Sequence, residues 1–253
     1  MAKRPKTLLT VDWDAFVPVG HAGDDMRWDI SHAETKFHLN ALWQTRGGLM
    51  ELMKVDPDLA QPFWPAMGRL FQDLPRFTLV SDSHMYAYNW LDDIQTVVLV
   101  DAHHDCWSGQ AGAVDCSNWA RRWLDRNPKR HMHWLVPGWV DTELYESDWV
   151  RFKQNQVSIH ILDDVLHAQD IEGLPKRVDR VHVCRSGCWT PPWLDQAFID
   201  WLKAGNRDCM GFPVDEKGTD WDALRLRWSE HDYAAMRQLD QMLLDTKRRV
   251  SVG

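Results

Sequence analysis

The chain has 253 residues, 44% of them hydrophobic and 26% charged, enough to bury one sizeable core, and is read as a single domain over 1–253. A net charge of −8 excludes a surface built for nucleic acid or an anionic membrane, where Lys and Arg should dominate. No apolar span approaches membrane-crossing length, and Met1-Ala-Lys-Arg-Pro-Lys lacks the features of a secretory signal, so a cytoplasmic location and a small or peptide partner are expected.

Residues 7–16 read as a strand that begins apolar and ends acidic, closed by Pro18 and Gly20, with Asp12 and Asp14 on one face. Residues 36–54 carry helical spacing in Phe37, Leu39, Leu42, Trp43, Leu49, Leu52 and Met53, weakened by Gly47-Gly48. A second helix is expected from about 61 to 72, after Pro57. Residues 76–81 make a short strand that exits into Asp82-Ser83-His84 and then an aromatic helical segment, Met85 to Leu91.

The apolar, β-branched run Thr96 to Val100 has the composition of a buried parallel strand and ends in Asp101-Ala-His-His-Asp105. If the backbone stays extended, Asp101, His103 and Asp105 face one side while Ala102 and His104 face the other. Two acids and a histidine converging beside a dry sheet would repel and desolvate one another, and a divalent cation among them is the simplest remedy.

Beyond this run, 106–117 reads as a loop and Asn118 to Arg126 as an amphipathic helix. Strands are expected at 131–136, 156–162 and 179–185. Thr190 as N-cap, Pro191 at the first helical position and Gly205 past the end frame a helix with Leu194, Phe198, Trp201 and Leu202 on its apolar face. A last helix spans 230–248, with Ser229 as its cap.

Strands alternating with helices predict an α/β fold, a three-layer, open, mostly parallel sheet with helices on both faces and ligands at the carboxyl ends of its strands. The five cysteines never form Cys-x-x-Cys and read as free thiols. The sixteen tryptophans are far more than a chain of this size needs. They read first as filling for the core and for the contacts of a homo-oligomer, and second as a groove for a peptide.

Three strand exits thus offer four carboxylates and two imidazoles, Asp12, Asp14, His84, Asp101, His103 and Asp105. Oxygen-rich ligation with some imidazole and no thiolate suits manganese or a similar hard ion, and six ligands would hold two ions with carboxylates bridging.

Val100-Asp-Ala-His-His-Asp105 resembles the Asp-Ala-His-x-Asp signature of the arginase and agmatinase (ureohydrolase) superfamily. Ser81-Asp-Ser-His84 resembles its Gly-Gly-Asp-His, and Thr10-Val-Asp-Trp-Asp-Ala-Phe16 its Ser-Phe-Asp-Val-Asp. The resemblance implies an arginase-like fold and two Mn2+ ions bridged by Asp101 and Asp12. His84 and Asp105 would complete one site, and His103 and Asp14 the other. It also implies hydrolysis of a guanidinium group to urea, with Asp105 as proton carrier.

The order of motifs departs from the family, because Asp-x-Asp here precedes Asp-Ala-His-x-Asp. At the usual place, Val181-His-Val-Cys-Arg-Ser-Gly-Cys188 has Ser186 and Cys188 instead of acids, so the N-terminal pair must substitute by permutation or from a neighbouring strand. Cys106, Trp107 and Ser108 replace the polar loop that grips free arginine. In both respects the chain resembles the divergent peptide arginases, which convert arginine side chains within peptides to ornithine, and an arginine-containing peptide is the implied substrate.

Glu34 and Glu51, shortly beyond the Asp-x-Asp strand, are candidates to clamp the guanidinium, and His160, His167 and His182 are candidate proton relays. Two other readings are a metal-dependent phosphoesterase of the DHH type, drawing on Asp82, and a non-catalytic peptide-binding relative.

Overall fold

The structure, a computed structural model, describes residues 4–18, 53–107, 114–141 and 156–211. Seven strands run through them: β1 (Lys6–Asp12), β2 (Phe77–Ser81), β3 (Ile94–Val100), β4 (His131–Val136), β5 (Val157–Ile161), β6 (Arg180–Cys184) and β7 (Asp208–Gly211). They form one sheet in the order β5-β4-β3-β1-β6-β2-β7, and each neighbouring pair is parallel. Every carboxyl end therefore lies at the same edge, and the chain is of the α/β class.

Period-two alternation divides the core into two layers. Leu9, Val11, Val98, Val100, Leu135, Val181 and Val183 face one layer, covered by α1 (Pro57–Leu70), α3 (Leu162–His167) and α4 (Asp195–Ala204). Leu8, Val97, Leu99, Met132, Trp134 and Val136 face the other, covered by α2 (Trp119–Asp125) and a 3-10 helix, His84–Trp90. Trp13, Trp119, Trp123 and Trp134 are fully buried, as expected of tryptophans that fill a core.

Several boundaries differ from expectation for identifiable reasons. The first strand stops at Asp12, where the Asp12 side chain accepts from the Asp14 N–H and starts a 3-10 turn, Trp13–Phe16. Helix α1 begins at Pro57 rather than near 61, because Asp56 caps it by accepting from the Asp58 N–H at 2.9 Å. It runs through Pro62 and Pro65, whose missing donors would have met the carbonyls of Asp58 and Gln61; both residues are exposed, so water can serve there.

Thr190 does not cap α4. Its hydroxyl donates to the carbonyls of Arg185 and Ser186, and α4 starts at Asp195 after a short 3-10 turn, Pro192–Leu194. Gly205 does end α4, but with an ordinary φ of −75°, so no left-handed stop is involved. The glycine is needed for space, since a Cβ there would lie 2.6 Å from the Trp64 ring. That ring is locked to α4 by reciprocal bonds, Trp64 Nε1 donating to the Trp201 carbonyl at 3.0 Å and Trp201 Nε1 to that of Ala60 at 3.1 Å.

Strand β7 and helix α3 were not anticipated. Asp208-Cys-Met-Gly211 is too short and mixed to signal a strand, and the pairing with β2 supplies what the composition does not. The expected helix at 230–248 lies outside the described residues, as does that at 36–54 except for Met53 and Lys54, which are not helical. Among the described residues, no helix is long and apolar enough to cross a membrane, and all five cysteines are free thiols.

Candidate metal centre

Strand β1 lies directly beside β3, in the register Val11 opposite Val100, so the acids that follow each strand emerge together at the carboxyl edge. The backbone after Val100 is not extended. It bends, and Asp105 takes a positive φ of 51°. Asp101, His103 and Asp105 converge through these bends rather than through strand alternation, a correction to the period-two expectation. His104 does point elsewhere, accepting the Cys106 N–H on its Nδ1 at 3.0 Å.

The six expected ligands meet. His84 Nδ1 lies 3.2 Å from Asp12 Oδ2, 2.9 Å from Asp101 Oδ2 and 3.0 Å from Asp105 Oδ2. His103 Nδ1 lies 3.0 Å from Asp14 Oδ2 and 3.6 Å from Asp101 Oδ1. Two groups of donor atoms, Asp12–His84–Asp101 and Asp14–Asp101–His103, each fall within 4.8 Å, and Asp101 belongs to both.

Three of the carboxylates divide their oxygens between scaffold and centre. Asp12 Oδ1 accepts the Asp14 N–H at 3.2 Å, Asp14 Oδ1 the Ala102 N–H at 3.4 Å and Asp101 Oδ1 the His103 N–H at 2.7 Å, which turns each Oδ2 inward. Asp105 is aimed instead by the indole N–H of Trp119, which donates to its Oδ2.

Burial and like charge set the electrostatics. Burial, with Asp12 and Asp101 beside it, pushes the Asp14 carboxyl up to about 7. Burial and the charge of Asp101 raise Asp105 well above the usual carboxylate range. Burial also pushes Asp101 upward, but the hydrogen bonds of His103 and His84 outweigh it and hold the group at about 2. His84 is driven down by burial and up, more strongly, by its carboxylates, so it stands well above the ordinary histidine value.

The residues fit a pair of hard divalent ions. Asp14 Oδ2 is buried and lies 3.0 Å from His103 Nδ1, so two candidate donor atoms converge on one point. The donors are all oxygen or imidazole nitrogen. Burial, reinforced by neighbouring acids, raises the thiols of Cys106 and Cys184 well above their usual value and leaves no thiolate for a softer ion.

Beyond the ligands, His84 Nε2 meets Thr10 Oγ1 at 2.7 Å, Thr10 Oγ1 meets His182 Nδ1 at 2.8 Å, and His182 Nε2 meets Ser81 Oγ at 2.8 Å. Of the three candidate relays, only His182 is tied to the cluster in this way; His160 pairs with His133 at 3.2 Å. Thr10, Ser81 and Trp119 were not singled out in the sequence. For Thr10 and Ser81 the available signal was a polar residue inside a run of otherwise buried strand, which must find a partner there; Trp119, on a helix, had no such signal.

Asp82 is absent from the cluster. Its Oδ1 accepts from Arg185 Nη1 at 2.9 Å, and buried Arg185 also binds Asp195, in a part-buried network. Gly187 permits this approach, since a Cβ there would lie 2.7 Å from both Arg185 Nη1 and Asp82 Oδ1. Glu34 and Glu51 lie outside the described residues. Compared with protein-family models, characterised proteins and solved structures, the chain matches none.

Proposed function

We propose that the chain is a binuclear metallohydrolase of the ureohydrolase type, with an arginase-like fold, that converts arginine residues of a peptide to ornithine and releases urea. The observation that carries this reading is the meeting of four carboxylates and two imidazoles in two donor groups sharing Asp101. The parallel pairing of β1 with β3 lets the N-terminal acids serve where the strand after residue 180 carries none.

Asp12, Asp101, His84 and Asp105 would hold one Mn2+, and Asp14, His103 and the shared Asp101 the other, with Asp12 a second bridge as the family resemblance implies. When bound, the two ions would lower the pKa of a water in the centre and stabilise charge developing on the guanidinium carbon. Asp105, held by Trp119, takes the water's proton and delivers it to the departing side-chain amine as the C–N bond breaks.

The substrate enters at His103, whose side chain is 28% exposed while the other ligands are nearly inaccessible. The Trp189 ring lies 4.7 Å from it, and exposed Trp107 follows Asp105 where a free-arginine enzyme would place polar contacts. An aromatic ring beside that opening suits an arginine side chain presented by a peptide. A DHH-type phosphoesterase would draw on Asp82, which here is committed to Arg185.

The test pairs metal analysis with urea release from arginine-containing peptides, free arginine and agmatine. Two manganese ions per chain, urea from the peptides and a mass loss of CN2H2 at one arginine are expected. Two bound ions with no urea from any substrate would overturn the catalytic reading in favour of a non-catalytic peptide-binding relative.

A further inference from the structure

Which nitrogen of His84 faces the centre as a lone pair is set by atoms outside the cluster. The chain of buried contacts can be resolved proton by proton, because each hydroxyl has one hydrogen and each neutral imidazole has one N–H. It starts at Ser81, whose Oγ donates to the Ser83 carbonyl at 2.8 Å. Its one hydrogen being used, Ser81 must accept from His182 Nε2.

His182 is fully buried between two hydroxyls, an environment that gives no carboxylate to support a second proton, so its Nδ1 is a lone pair. The Thr10 hydroxyl therefore donates to His182 and has only acceptance left for His84. When His84 is neutral, as a ligand of an ion must be, its one proton is then on Nε2, and the lone pair of Nδ1 is the one that faces Asp12, Asp101 and Asp105.

We infer that Ser81, His182 and Thr10 form a positioning relay that fixes His84 as an Nδ1 ligand of a divalent ion. This rests on the metal centre proposed above and adds to it three residues that do not touch the ion. The relay spans three adjacent strands, with Thr10 opposite His182 in the β1–β6 pairing and Ser81 at the end of β2. Thr10, His182 and Ser81 are all buried, so their polar atoms depend on one another for partners. It is the outer-shell support that metal-binding histidines commonly need to fix tautomer and ring plane.

The inference is tested on the full chain with Zn2+ as a diamagnetic probe and 15N-labelled histidine. Long-range 1H–15N correlations distinguish the two tautomers. His84 and His182 are both expected to carry their proton on Nε2 in the Zn2+-loaded protein. Thr10→Val should weaken Zn2+ and Mn2+ at the His84 site by about 10- to 100-fold while the other ion is retained, and Thr10→Ser should restore binding.

A proton on His84 Nδ1 in the loaded protein, or undiminished ion binding by Thr10→Val, would overturn the relay while leaving the metal centre standing. Failure of the unmodified chain to bind either ion would overturn both. The tautomer measurement needs no variant, so a Thr10→Val protein that does not fold leaves the inference open to refutation.

Discussion

One sheet carries two clusters of ionisable groups with opposite behaviour, one buried and one part-buried. At the carboxyl edge of β1 and β3, carboxylates surround His84 and raise its proton affinity well above the ordinary value. On β4 and β5, His131, His133 and His160 gather with ring centroids 4.7 and 5.4 Å apart, and burial together with the neighbouring imidazoles pushes His133 down to about 4. Both clusters are rich in metal-ligating side chains. Among the described residues, however, only the carboxyl edge brings three ligand atoms within 4.8 Å of one another. Negative charge calls for a cation, whereas histidines alone meet burial by remaining neutral.

The largest effect that sharpens this contrast is expected from Asp101→Asn, which removes charge from both donor groups at once. It should abolish binding of both ions and turnover. Mn2+ at a hundred times its dissociation constant should stabilise the unmodified chain by about 2.7 kcal/mol per site and the variant not at all, as read by chemical denaturation. Asp14→Asn should act on one group only, reducing the metal count from two to one; retention of two ions would break the division into two sites.

Trp119→Phe should leave the metal count at two and lower turnover by about 10-fold, because Asp105 loses the donor that aims it. An unchanged rate would remove the indole from the argument.

The smallest effect belongs to the histidine cluster. An unfolded chain takes up a proton at His133 below about 6.5, whereas the folded chain resists until about 4. The unfolded state therefore binds more protons in that window, and the contribution of this group to stability falls as pH drops from 6.5 to 4. His133→Phe should flatten that part of the stability curve without altering ion content or urea release. A lost ion would show that the two clusters are linked.

The carboxyl edge was legible in the sequence because its four carboxylates and two imidazoles sit in short motifs at the ends of recognisable strands, and a parallel α/β sheet gathers such ends at one edge. The path by which they converge was not legible. The bend after Val100 and the left-handed Asp105 depend on tertiary contacts, including Trp119, which follows Asp105 by fourteen positions. The same holds for Thr190, whose hydroxyl had a helix to cap but found two carbonyls instead. His182 could be marked as a candidate relay, yet nothing near it in sequence discloses that Thr10 will stand opposite.

The place of β6 has a consequence for assembly. Strands β1 and β2, whose exits carry Asp12 and His84, do not touch each other in the sheet; β6, about a hundred residues later than β2, is inserted between them. All six candidate ligands thus precede residue 106, but the spacing that lets His84 meet Asp12 is set by a segment synthesised much later. Long-range parallel pairing of this kind forms slowly. Acquisition of the two-ion site during refolding should therefore trail the recovery of helical signal, and simultaneous recovery would argue that the edge assembles before β6 is in place. Metal uptake would then report completion of the sheet interior, with the earliest residues of the chain among the last to become competent.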